Sequence, residues 1–125
     1  MPSKRTRQLT ARTAARRSAQ FAADKQAFDI VILDLRKVTD FTDYFIICSG
    51  AVDVHVRAIY EHIDSELLKI GWKPKHVEGN DNMRWILMDY VDFVVHIFQP
   101  DARGYYALER LWGDTPTVTV KGVTA

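Results

Sequence analysis

Residues 84–98, Arg-Trp-Ile-Leu-Met-Asp-Tyr-Val-Asp-Phe-Val-Val-His-Ile-Phe, leave this chain few choices. Val, Ile, Phe, Tyr and Trp dominate two short arms, and the acids at Asp89 and Asp92 interrupt them, so the stretch predicts a β-hairpin with its turn at Asp89–Asp92. Side chains alternate across a strand, which sends Trp85, Leu87 and Asp89 to one face and Ile86, Met88 and Tyr90 to the other. Both faces are largely apolar. A hairpin of that kind lies inside a packed layer or reserves one face for a partner.

At 125 residues the chain has the size of one domain and enough length to bury a core. No apolar run approaches the roughly 18–20 residues that cross a bilayer, so no membrane role is expected. The single cysteine, Cys48, excludes an internal disulfide framework. Net charge is +1, but six Lys and Arg fall in the first twenty residues, ahead of the first acid at Asp24. The remainder carries eleven basic residues against sixteen acids. A basic arm on an acidic body favours a basic partner for the body and disfavours nucleic acid as its main ligand.

The arm, residues 1–27, has high helix propensity from about Arg7, with Leu9, Ala15, Phe21 and Ala22 as its expected contact points. It reads as a helix with a solvated basic face able to touch RNA phosphates in a cytoplasmic protein. Its acid-free, Arg-, Ser- and Thr-bearing start also has the composition of a transit peptide, which would instead place the chain in a mitochondrion or plastid. The domain proper is expected at 28–114, with a flexible tail at 115–125. Residues 29–35 and 43–48 predict buried strands, joined by a polar connector. Val56, Ile59, Ile63, Leu67 and Ile70 step by three and four, which predicts a helix over 53–70 with Asp53 as N-cap and Gly71 as its stop. A third strand at 72–77 is weakened by Pro74 and so belongs at an edge. After the hairpin, Pro100 breaks the chain, and a helix over 102–112 aligns Tyr105, Leu108 and Trp112. The expected fold class is α/β, a mixed β-sheet of about five strands with helices packed on it, on a nucleotidyltransferase-like scaffold.

Catalytic machinery is hard to find. The histidines at 55, 62, 76 and 96 lack metal-ligand spacing, and no zinc or calcium motif is present, so neither a metal nor a cofactor is expected. Cys48 sits inside an apolar strand, and Ser49-Gly50 lacks a nucleophile elbow. Asp89 and Asp92 flank a turn and do not share a strand face, as two-metal nucleotidyl transfer would need. No catalytic residue is assigned.

Several segments together resemble the ribosomal silencing factor family, also called the Iojap family. They are Asp29–Leu35, Thr42–Gly50, Val56–Ile59, Val77-Glu78-Gly79, Trp85–Tyr90, Asp92–Phe98 and Arg103–Trp112. The resemblance spans about residues 29–114 and departs from the family pattern in two places. Val91 stands where many members have glycine in the hairpin turn, and Ala51–His55 replaces a more polar helix start. The resemblance implies a translational repressor, not an enzyme, that binds the large ribosomal subunit at universal large-subunit protein fourteen and blocks joining of the small subunit. It also implies homodimers of the free protein and, as an alternative, a large-subunit assembly factor; the scaffold itself, with its Ser49-Gly50 corner leading into a helix, carries the other alternative, a nucleotidyltransferase-like enzyme. Carried over by position, its partner contacts fall on Trp85, Met88, Asp89, Tyr90 and Asp92.

Overall fold

The computed structural model describes residues 10–106. In chain order the elements are α1 (Ala11–Asp24), β1 (Phe28–Asp34), β2 (Tyr44–Ser49), α2 (Asp53–Lys69), β3 (His76–Glu78), β4 (Trp85–Asp89), β5 (Phe93–Phe98) and α3 (Pro100–Tyr106). The strands form one five-stranded sheet in the order β1-β2-β5-β4-β3. The β2–β5 pair is parallel and the other three pairs are antiparallel. The mixed α/β sheet expected from the sequence is present.

Every residue of β2 and β5 is buried, as suits the two inner strands. Alternation then divides the apolar residues between two layers. Tyr44, Ile46, Cys48, Ile86, Met88, Phe93, Val95 and Ile97 face α1 and α2. Leu33, Phe45, Ile47, Val94 and Phe98 form a smaller cluster on the other face, joined by Val31, Trp85 and Leu87 and by Ala102 of α3.

The helix α1 presents the solvated basic face expected of it, with Arg12 and Arg16 exposed, but its other side is packed into the domain. Ala14, Ala15, Ser18, Ala19 and Ala22 are buried, and His62 of α2 lies 3.1 Å from the Asp24 carboxylate at the end of α1. Alanine contributes little apolar area per residue, so the stripe looked weak in the sequence. Its small side chains nevertheless let the helix backbone approach the sheet closely, and α1 is part of the domain. Of the contact points expected on it, Ala15 and Ala22 are buried, Phe21 is half-buried and Leu9 lies outside the described residues. Thr10 caps the helix, its hydroxyl accepting from the Thr13 N–H at 3.2 Å.

Three further expectations shift. Val52, not Asp53, occupies the N-cap of α2, and the Asp53 carboxylate accepts a 2.6 Å hydrogen bond from the Gln99 amide instead. The α2 N-terminus is closed by His55, whose Nδ1 accepts from Ala51 N–H at 2.8 Å while Nε2 donates to the Lys25 carbonyl at 2.7 Å. Strand β3 is only three residues long, because Trp72 turns inward to pack edge-on against Phe93, 5.1 Å away, and pairing begins only after Pro74. Pro100 opens α3 rather than merely breaking the chain, a first-turn position where its missing N–H costs nothing. The far part of the helix expected over 102–112, with Leu108 and Trp112, and the tail at 115–125 lie outside the described residues. Gly71 does end α2, with φ +95°.

Candidate interaction surface

The face of the sheet away from α1 and α2 holds the features that need a use. Trp85 and Leu87 of β4 stand half-buried on it, opposite Phe98 and His96 of β5 in the antiparallel register. Trp85 stacks on Phe98 with ring centres 5.1 Å apart, and its indole N–H donates to His96 Nδ1 at 3.1 Å. Beside them, Phe41, Phe45, Leu87, Asp89, Val94 and His96 line an open concavity of about 170 Å³. Phe41 lies in the β1–β2 connection, is 60% exposed, and meets Phe45 edge-on at 6.0 Å. Large apolar side chains gathered on one exposed face mark a contact surface more often than chance exposure does.

The hairpin turn sets the rim of this surface. Tyr90 N–H donates to Phe93 O at 2.9 Å, and Asp92 N–H donates to Tyr90 O at 2.8 Å. An i to i+2 bond around Val91 at φ +73° is a γ-turn of the strained, positive-φ form. The glycine-type backbone is thus kept despite the β-branched residue, and the Asp89 carboxylate supports it by accepting from Val91 N–H at 2.8 Å. Such a residue costs about 1–3 kcal/mol, while glycine gives back roughly 0.5–1 kcal/mol in unfolded-chain entropy. Val91→Gly is therefore expected to stabilise by about 1 kcal/mol and raise Tm by roughly 3–5 °C in a thermal melt, since Val91 buries little. An unchanged or lower Tm would show that the turn relaxes without cost.

The five residues singled out in the sequence do not end up together. Trp85 and Asp89 share the open face, and Asp92 is exposed in the turn next to it. Met88 is fully buried and Tyr90 is 3% exposed, both in the layer under the helices. Tyr90 stacks on Phe93, with ring centres 4.8 Å apart. These two are core residues that support the hairpin from behind, because alternation carries even positions of β4 inward. Phe41 and Leu87 also lie on the open face and were not singled out, while Phe45, Val94 and His96 are buried beneath it. For Leu87, Val94 and His96 the period-two signal was available, but Phe41 sits in a connector whose path no periodicity reveals.

Burial lowers the His96 pKa from the ordinary 6.5 to about 3. In the unfolded chain the ring takes a proton near pH 6.5, whereas in the fold it stays neutral, so unfolding takes up a proton as pH falls below that point. Stability from this residue is full above pH 6.5 and declines toward pH 3. Between pH 6.5 and 5 the wild type should lose roughly 1.5 kcal/mol more than His96→Gln, read from urea unfolding at each pH. Parallel pH profiles would contradict a shielded ring.

Nothing else among the described residues offers chemistry. No group of three or more His, Cys, Asp or Glu is placed to hold a metal there. Burial pushes the Cys48 thiol up to about 12, which leaves it protonated and unreactive. No helix among the described residues is long and apolar enough to cross a membrane.

Comparison with known proteins points the same way. A family model described as "Ribosomal silencing factor during starvation" matches residues 8–125. The ribosomal silencing factor of Bacillus subtilis is 46% identical over 93 residues, covering 74% of this chain and 79% of the relative. A mouse protein named mitochondrial assembly of ribosomal large subunit protein 1 is 32% identical over 91 residues, 70% of this chain and 40% of that one. A crystal structure of a Chromobacterium violaceum protein superposes with a TM-score of 0.82 at 27% identity, covering 93% of this chain and 97% of the other.

Proposed function

This chain belongs to the ribosomal silencing factor family, and we propose that it represses translation by covering part of the large ribosomal subunit with the open face of its sheet. The contact is universal large-subunit protein fourteen, and the consequence is that the small subunit cannot join. The protein acts as a regulator in the compartment of the ribosomes, the cytoplasm, with no catalytic step of its own.

The observation that carries this reading is the half-buried Trp85 on an apolar sheet face beside Phe41, Phe45 and Leu87. Aromatic anchors ringed by polar groups are typical of protein interfaces, and the acids Asp89 and Asp92 at the rim suit a basic ribosomal surface. The experiment is subunit joining with purified subunits at limiting magnesium, scored by sucrose-gradient sedimentation. Added protein should shift the profile from joined ribosomes to separate subunits. Binding to large subunits without any effect on joining would favour the assembly role that the mouse relative's name describes. No binding at all would sink both.

The basic arm contributes a weaker contact. Arg12 and Arg16 are exposed on α1, on the side away from its buried alanines. They are placed to neutralise ribosomal RNA phosphates. Replacing both with Gln should flatten the log–log salt dependence of subunit binding by about one to two units, and an unchanged slope would remove RNA from the interface.

A further inference from the structure

The open face carries a carboxylate with one oxygen unused. Asp89 is paired with Val94 in the register of β4 and β5, and alternation puts it on the same side as Leu87 and Trp85. Its Oδ1 accepts from the Val91 N–H at 2.8 Å. The second oxygen is neither bonded nor buried among the described residues. Asp89 also lines the concavity of about 170 Å³, whose more accessible walls are Leu87 and Phe41, the latter 60% exposed. Phe41 is not a loose flap. Leu35 N–H donates to Asp43 O at 2.8 Å and Asp43 N–H donates to Asp92 O at 3.0 Å, which ties the β1–β2 connection to β1 and to the hairpin turn. The result is an apolar trough that ends at a half-used carboxylate.

We propose that this concavity seats one lysine side chain of the basic partner, its methylene stem lying between Phe41 and Leu87 and its ammonium donating to Asp89 Oδ2. The inference rests on the reading of the open face as the subunit-binding surface, and it names the side chain that this face selects.

The chemistry of the trough sorts the occupants. A purely aliphatic side chain would cover the Asp89 oxygen and leave its charge dehydrated with nothing to bond it. An anion is repelled by Asp89 and by Asp92, exposed in the same turn. Arginine bonds a carboxylate best through both oxygens at once, and here one of them is committed to the Val91 N–H. Lysine brings a single compact charge on a flexible four-carbon stem, and such stems lie along apolar surface while the charged head stays in the open. Leu87 and Asp89 are two residues apart on β4, about 6.6 Å along the strand, so wall and charge follow one another in the direction a stem would run. Asp43 and Asp92 add negative charge beside the seat, which draws a cation toward it.

The test has two readouts on purified large ribosomal subunits. Affinity is measured by co-sedimentation titration, with near-ultraviolet circular dichroism confirming that each variant is folded. Contact is measured by crosslinking with a water-soluble carbodiimide, which joins a carboxylate directly to an amine touching it and leaves guanidinium groups alone. Asp89→Asn keeps an oxygen for the Val91 N–H but loses the charge, and should bind about 10-fold more weakly. Asp92→Asn removes the same charge from the rim outside the seat and should lose only about 3-fold. Phe41→Ala, which removes the exposed wall, should lose about 5-fold, and Phe41→Leu should recover most of that. Mass spectrometry of the crosslinked complex should find Asp89 joined to a lysine of a large-subunit protein. Equal losses in Asp89→Asn and Asp92→Asn would assign the effect to net charge and overturn the seat. Wild-type affinity in both Asp89→Asn and Phe41→Ala, with Trp85→Ala impaired, overturns the seat while leaving the surface reading in place. Should Phe41→Ala fail to fold, the comparison of Asp89→Asn with Asp92→Asn decides alone. Binding without a crosslink at Asp89, or a crosslink from Asp89 to a second copy of this chain, overturns a lysine of the partner as the occupant. No subunit binding by wild type overturns the seat and the proposed function together.

Discussion

Trp85→Ala is expected to weaken binding to large ribosomal subunits by about 30-fold or more, the range typical of a truncated aromatic anchor worth 2 kcal/mol or above. Tyr90→Ala should fail for a different reason. Trp85 is half-buried on the open face, whereas Tyr90 lies under the helices, stacked on Phe93 at 4.8 Å. Truncating Tyr90 opens a cavity in the main core, at a cost of about 3–5 kcal/mol. Removing Trp85 leaves a shallower gap and an unpaired His96 Nδ1, and should cost roughly 2 kcal/mol of stability. The two variants are therefore separable by measuring denaturant unfolding and subunit binding on the same samples. Trp85→Ala should lose more affinity than stability, and the folded fraction of Tyr90→Ala should bind nearly as wild type does. A Trp85→Ala protein that stays folded and binds normally would remove the open face from the function. A well-folded Tyr90→Ala protein that does not bind would return Tyr90 to the interface, against its burial.

The largest loss of stability from one added carbon is expected at Gly79. Its φ is +83°, and a Cβ built there would lie 1.9 Å from the carbonyl oxygen of Trp85. The neighbouring atoms are backbone, so no flexible side chain can move aside. Two penalties combine in Gly79→Ala: the left-handed conformation for a residue with a Cβ, and displacement of the first residue of β4. Together they amount to about 3–5 kcal/mol, or a fall in Tm of roughly 10–20 °C for a domain of this size. Subunit binding should drop as well, even at temperatures where the protein stays folded, because the carbonyl that must shift belongs to the anchor itself. A melting temperature within a few degrees of wild type would mean that the loop before β4 relocates freely.

Much of this architecture was legible in the residues. The α2 stripe at Val56, Ile59, Ile63 and Leu67 is buried as its spacing requires, because helix periodicity is a local property of the chain. The hairpin strands and their alternating faces followed from the same kind of local rule. The family resemblance, not the residues alone, singled out Val91 as standing where a glycine-type turn is expected. The conflict is resolved by keeping the turn and accepting the strain, since the ladder on either side and the Asp89 carboxylate hold the backbone in place. Less legible was α1, whose buried stripe of alanines carries little hydrophobic signal and only makes sense against a surface that accepts a close helix.

Sequence by itself determined that the strand pair around Asp89–Asp92 would be apolar on both sides, and that its odd and even positions would part company. Only the tertiary structure decided which side the helices cover. Covering Ile86, Met88 and Tyr90 rather than Trp85 and Leu87 depends on where α1 and α2 dock, and that is settled by contacts between residues far apart in the chain. The same docking turned His96 from one more strand residue into a buried ring held by the Trp85 indole N–H. Alternation repeats every two residues and can be read from neighbours, whereas the choice of buried face is a property of the whole packed core.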